Sequence, residues 1–250
     1  MESMNLHSRC DGKGCRRTKI LGGSIASAAC VLGGLLLWSG WNGYYFPTFR
    51  KKIAPDVKRV ACIGDSITYG FKIKNWFCHH YPRVLQTLLG KEYYVENFGL
   101  SGSTGMKSGN RPYVNYPHYK QSKDFLPDIV VIMFGTNDAS PANWQGKERF
   151  VSEYRELLLS YHDLPLHPAL FVMTPPPLLH QATPEDDKME ENIEAVRESV
   201  FALADELGCS VIDLFRETKD HLNWFQADGL HPNAEGAAEI ARIVFHQIKP

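Results

Sequence analysis

From residue 59 onward the chain alternates between two hydrophobic rhythms. Short apolar runs rich in β-branched and aromatic residues fall at 59–64 (RVACIG), 93–99 (YYVENFG), 128–135 (DIVVIMFG), 169–175 (ALFVMTP) and 210–215 (SVIDLF). Each reads as a strand. Between them apolar positions recur at the helical period, in YPRVLQTLLG, KERFVSEYRELLLSYHDL, EDDKMEENIEAVRESVFALADELG and NAEGAAEIARIVFHQI. Gly90 and Gly208 stand where helix C-termini want a glycine, and Asp186 and Asp187 suit the positive end of the third helix. Strands alternating with helices predict a parallel sheet covered on both faces. The polar, turn-rich stretch 102–125 predicts a loop, and no internal repeat is present.

The first fifty residues follow another pattern. Arg9, Lys13, Arg16, Arg17 and Lys19 precede an uncharged apolar run at 20–41, followed by Tyr44 and Tyr45. At helical rise that run spans roughly 33 Å, enough for a bilayer core, with aromatics at its outer end. The expected organisation is a basic tail at 1–19, a transmembrane anchor or uncleaved signal segment at 20–45, a linker at 46–58 and a folded domain at 59–250. This predicts a membrane-anchored protein with its folded domain outside the cytoplasm. Secretion after signal cleavage is the alternative, because Ala26, Ala28 and Ala29 are small enough for a cleavage site.

Composition narrows the function. A length of 250 residues with 44% hydrophobic residues supports one sizeable core, and a formal net charge of −1 without a basic stripe argues against nucleic acid as partner. The cysteines show neither a disulfide framework nor zinc-ligand spacing, so no metal or other cofactor is expected. Whether Cys78 pairs with Cys209 is open.

In a parallel sheet the ligand crevice lies beyond the carboxyl ends of the strands. Ser66, Gly99 and Asn137 all fall there. A serine hydroxyl needs a base to take its proton, and the base needs an acceptor on its other nitrogen. QADGLHPNAEG supplies both in Asp228 and His231, three residues apart and just ahead of the last helix. Donors for an oxyanion are then the Ser66 and Gly99 backbone N–H groups and the Asn137 amide. Singly, each has a plainer reading: Asp65 and Ser66 as a turn and helix cap, Asp228 and His231 as a capped turn, the 99–105 glycines as a flexible loop. The glycine stretch lacks the Lys-Ser/Thr of a nucleotide loop. All four elements occur in order at strand ends, and that conjunction outweighs the separate readings.

GDS at 64–66, the glycine of NFGLSG at Gly99, GTND at 135–138 and DGLHP at 228–232 resemble the four sequence blocks of the SGNH/GDSL hydrolases. The resemblance implies a flavodoxin-like three-layer α/β/α sandwich with a five-stranded parallel sheet, here preceded by an N-terminal apolar helix. It also implies Ser66 as nucleophile, His231 as base, Asp228 as orienting acid, and Gly99 and Asn137 completing the oxyanion hole. ACIGDSITYG and DIVVIMFGTNDASPANW are similar to the carbohydrate, sialate-type, O-acetylesterase branch, which implies removal of acetyl groups from sugars. The expected partner is a small-molecule or glycan ester. A lysophospholipase or acyl thioesterase, and a noncatalytic carbohydrate-binding protein on an esterase scaffold, are the alternatives. Tyr113, Trp144 and Trp224 are candidate substrate contacts, since aromatic faces suit a sugar ring, with loop packing as the competing role. Lys107 and Arg111 are candidates for holding a sugar carboxylate.

Overall fold

The computed structural model describes residues 53–180 and 182–249. The apolar segment, the basic tail and most of the expected linker lie outside them. Among the described residues no helix is long and apolar enough to cross a membrane.

Five strands, β1 (Lys58–Gly64), β2 (Tyr93–Gly99), β3 (Ile129–Met133), β4 (Ala169–Met173) and β5 (Ser210–Ile212), pair in parallel in the order β2-β1-β3-β4-β5. The helices are α1 (Ser66–Tyr69), α2 (Trp76–His79), α3 (Tyr81–Leu89), α4 (Pro117–Asp124), α5 (Lys147–His162), α6 (Pro184–Leu207), α7 (Leu214–Thr218) and α8 (Ala234–Ile248). This strand order is that of a flavodoxin-like sheet, as expected, and it reverses direction between β1 and β3.

The period-2 alternation of the central strands builds two cores, one on each face. Ala61 and Ile63 of β1 and Val130 and Ile132 of β3 pack with Phe150, Tyr154 and Leu157 of α5 and Ile193, Val196 and Val200 of α6. Their neighbours Val60, Cys62, Val131 and Met133 point the other way, onto Tyr81, Leu85 and Leu89 of α3 and Ile240, Ala241 and Val244 of α8. Residues 60–63 are fully buried, which is why these strands read as unbroken apolar runs. Burying each large aliphatic side chain contributes roughly 1.5–3 kcal/mol.

Strand β2 is the sheet edge, and α3 shields it with one side chain. The Gln86 amide donates to Tyr93 O at 3.0 Å and accepts from Val95 N at 2.8 Å, as an adjoining strand would. An edge blocked in this way offers less backbone to a second chain.

The structure departs from the sequence pattern in two places. The last apolar run splits after Ile212, because the Asp213 side chain accepts from Arg216 N and starts α7. The expected loop at 102–125 contains α4, opened by Pro117 in its first turn, where a missing N–H costs nothing. Cys62, Cys78 and Cys209 are free thiols.

Gly99 sits where α1 crosses β2: a Cβ there would stand 2.3 Å from Tyr69 N and 2.8 Å from Thr68 C, both backbone atoms that have nowhere to go. Gly99→Ala is therefore expected to destabilise the domain by about 2 kcal/mol or more. Urea unfolding checks this, and an unchanged midpoint contradicts it.

Candidate active site

The crevice at the β1/β3 reversal receives Ser66 from the end of β1 and Asn137 from the end of β3. Asp65 caps α1, its Oδ1 accepting from Ile67 N at 2.9 Å, so Ser66 becomes the first residue of a short, wholly buried helix. Its hydroxyl lies 2.9 Å from Nε2 of His231, 165 residues away. The Nδ1 of His231 is 2.8 Å from Asp228 Oδ2, and Asp228 Oδ1 accepts from the backbone N–H groups of Leu230 and His231, both at 3.0 Å. A carboxylate has only acceptors to offer, so Nδ1 carries the proton and Nε2 is left to accept from Ser66. Partial burial pushes the Asp228 carboxyl up, but the hydrogen bonds from His231 and Leu230 outweigh it and hold the group below its ordinary value. It is ionised at neutral pH.

Several residues that the sequence did not single out hold this pair together. Gln226 donates one amide to Phe71 O at 2.9 Å and Pro232 O at 3.0 Å, tying the loop after α1 to the loop that carries His231. The Phe71 ring lies 5.0 Å from the imidazole. The stretch after β4 braces the acid: Leu179 N donates to Gly229 O at 3.0 Å, and His180 fills the space a Gly229 side chain would need. Long-range polar contacts of this kind leave no periodic trace in a sequence.

Asn137 is bound on both sides. Its Nδ2 donates to Ser103 O at 3.0 Å and makes a longer contact of 3.3 Å to Asp65 Oδ2, while Asn143 Nδ2 donates to its backbone carbonyl at 2.8 Å. Asp138 beside it accepts from three backbone N–H groups, those of Gly105, Met106 and Gly135. This clamps the loop after β2 against the loop after β3.

The structure corrects two of the expected positions and places two others away from the Ser66–His231 pair. Gly99 is closed as a donor, because its N–H is given to Asn97 Oδ1 at 2.9 Å. Gly102, three residues on at φ +74°, has an N–H with no acceptor among the described residues, as does Ser66. The repeated glycine in GLSGST was the available signal. Tyr113 is fully buried with its hydroxyl donating to Phe98 O, so it is a core residue. Trp144 packs beside Phe150, and Trp224 stacks on His221 at 3.7 Å. Among the described residues neither tryptophan makes a hydrogen bond or ring contact to Ser66, Asn137 or His231.

Two buried acids lie in this crevice. Burial pushes Asp65 up to about 7, with the nearby Asp138 adding to the rise against the Ile67 hydrogen bond. Burial likewise raises Asp138 to about 6 despite its backbone donors. Folding therefore favours protonation of both groups. Their contribution to stability is complete below the unfolded value of 3.8 and is lost as pH rises through about 6 and 7. The urea midpoint is expected to fall between about pH 5 and about pH 8, and to fall less in Asp65→Asn. A profile rising over that window contradicts this.

The chain is 34% identical over 212 residues to an acetylxylan esterase of Xylanibacter ruminicola, an alignment covering 78% of this chain. The chain spans less than half of that protein, 44% of its length. A carbohydrate acetylesterase from Sinorhizobium meliloti superposes with a TM-score of 0.65 at 21% identity, over 76% of this chain and 98% of its own. The aryl esterase of M. smegmatis does so with a TM-score of 0.64 at 20% identity, over 77% and 99%. At that identity these two likenesses speak to the fold. The family model for GDSL-like lipases and acylhydrolases matches residues 62–239, a span from the middle of β1 well into α8, and the chain belongs to that family.

Proposed function

We propose that the protein is a serine ester hydrolase that removes short acyl groups, acetyl foremost, from carbohydrate. One observation carries the reading: an unbroken line of hydrogen bonds from the Ser66 hydroxyl through the His231 ring to the Asp228 carboxylate, at 2.9 and 2.8 Å. His231 Nε2 takes the Ser66 proton as Oγ adds to the ester carbonyl. The tetrahedral oxyanion is met by the N–H groups of Ser66 and Gly102 and by the Asn137 amide. The longer Asn137–Asp65 contact is the one that yields to the substrate oxygen. Collapse of the intermediate breaks the bond to the alcohol oxygen, which leaves with the proton from His231. Water then repeats the sequence on the acyl-serine and releases the acid. Asp228 steadies the imidazolium in both halves.

The carbohydrate and acetyl parts of the proposal draw on two similar proteins, an acetylxylan esterase and a carbohydrate acetylesterase. The uncharged run at 20–41 and the aromatics beyond it support a membrane-held enzyme.

A series of 4-nitrophenyl esters from acetate to long chains tests this. Turnover should be greatest on acetate, fall by about 10³-fold or more in Ser66→Ala, and fall about 10²–10³-fold in kcat in Asn137→Ala. Preference for long acyl chains would redirect the assignment to lipid or thioester substrates. Turnover that persists in Ser66→Ala would remove Ser66 as the nucleophile.

A further inference from the structure

Most of the arginines among the described residues are paired. Arg149, Arg155, Arg197, Arg216 and Arg242 each face a carboxylate. Lys107, one of the two candidates for holding a sugar carboxylate, is paired with Glu156 at 2.6 Å. Arg111, the other, is different. It has no carboxylate partner among the described residues, and its Nε is buried without a hydrogen-bond acceptor.

Arg111 is also held in place. Its guanidinium lies over the Tyr116 ring at 5.1 Å, and its carbonyl accepts from Thr104 N at 3.0 Å. The preceding residue is anchored as well, Asn110 N donating to Asn143 Oδ1 at 2.9 Å, and Asn143 in turn holds the Asn137 carbonyl. Nη1 of Arg111 lies 3.6 Å from where a Cβ on Gly102 would stand. The cation thus flanks the backbone proposed as an oxyanion donor. Gly102, Asn110, Arg111 and Tyr116 line an open cavity of about 530 Å³. His118, the titratable neighbour that feels the Arg111 charge, is lowered by burial and by that charge to about 4, so it adds no second cation at neutral pH.

A partly buried guanidinium with no carboxylate partner, facing an open cavity, is available to an anion. Its planar fork matches a carboxylate through two parallel hydrogen bonds, and the Tyr116 face beside it can pack against a sugar ring. Building on the proposed esterase activity, we infer that Arg111 is a specificity-determining residue that binds a carboxylate carried by the sugar, so that the preferred substrates are acetyl esters of acidic sugars. Gly102 belongs to both the cavity and the reaction crevice, so the carboxylate and the scissile ester occupy adjoining parts of one ligand.

The test compares mono-O-acetylated methyl glucuronoside with the equally acetylated methyl glucoside, on the full chain. The wild-type protein should favour the glucuronoside by about tenfold in kcat/KM, through KM, and added salt should shrink that advantage. In Arg111→Gln the ratio should fall to within about twofold of one, and Arg111→Lys should retain part of the preference. The lysine variant also preserves the test if the glutamine variant fails to fold. A ratio near one in the wild type, or one unchanged in Arg111→Gln, overturns the assignment while leaving the esterase reading intact. Failure to hydrolyse either sugar ester removes the carbohydrate reading and this inference with it.

Discussion

The site depends on two side chains that are absent. Gly64 and Gly99 are register partners at the carboxyl ends of β1 and β2, and the short helix that begins with Ser66 lies directly on them. A Cβ at Gly64 would stand 2.3 Å from Thr68 Oγ1 and 2.5 Å from Met133 O. Only with both positions bare can the backbone turn from strand to helix inside the crevice and raise Ser66 to the height of His231. The glycine of the GDS block therefore makes room for the serine it introduces. Gly99, whose sequence context suggests a donor, has the same spatial duty.

Around that turn the fold buries two ionisable carboxyls where apolar packing would be cheaper. Asp65 ties the start of α1 to Asn137, and Asp138 gathers backbone N–H groups from two loops. Each carboxyl is fully buried, and the cost of desolvation appears as an upward displacement of both. In exchange, three separate chain segments share fixed positions. A hydrophobic pair of the same volume would fill the space without orienting an amide.

Much of this was legible in the sequence because it is periodic or local. Four of the five strands end within about two residues of their apolar runs, and the Asp228–His231 spacing places both partners on one turn. What was hidden leaves no trace in the hydrophobic pattern. Pro117 starts a helix in a stretch too polar to show one, Tyr113 is drawn inward by the Phe98 carbonyl, and the N–H of Gly99 is claimed by a neighbour two residues back. Lys107 and Arg111 look alike as loop cations, and only the position of Glu156 separates them. The apolar segment at 20–41 lies outside the described residues.

The Gln226 amide joins the Phe71 and Pro232 carbonyls, and α3, early in the domain, packs on α8 at its end. Within this domain Ser66 is thus made well before His231. A ribosome that has emitted everything up to β5 holds a chain with a serine and no means of activating it. The Ser66–His231 contact can form only once the loop ahead of the last helix is in place, so a copy cut short before it lacks the base proposed for Ser66. Loop closure over so long a stretch is slow, and the order of the blocks along the chain delays the meeting of the serine with its histidine.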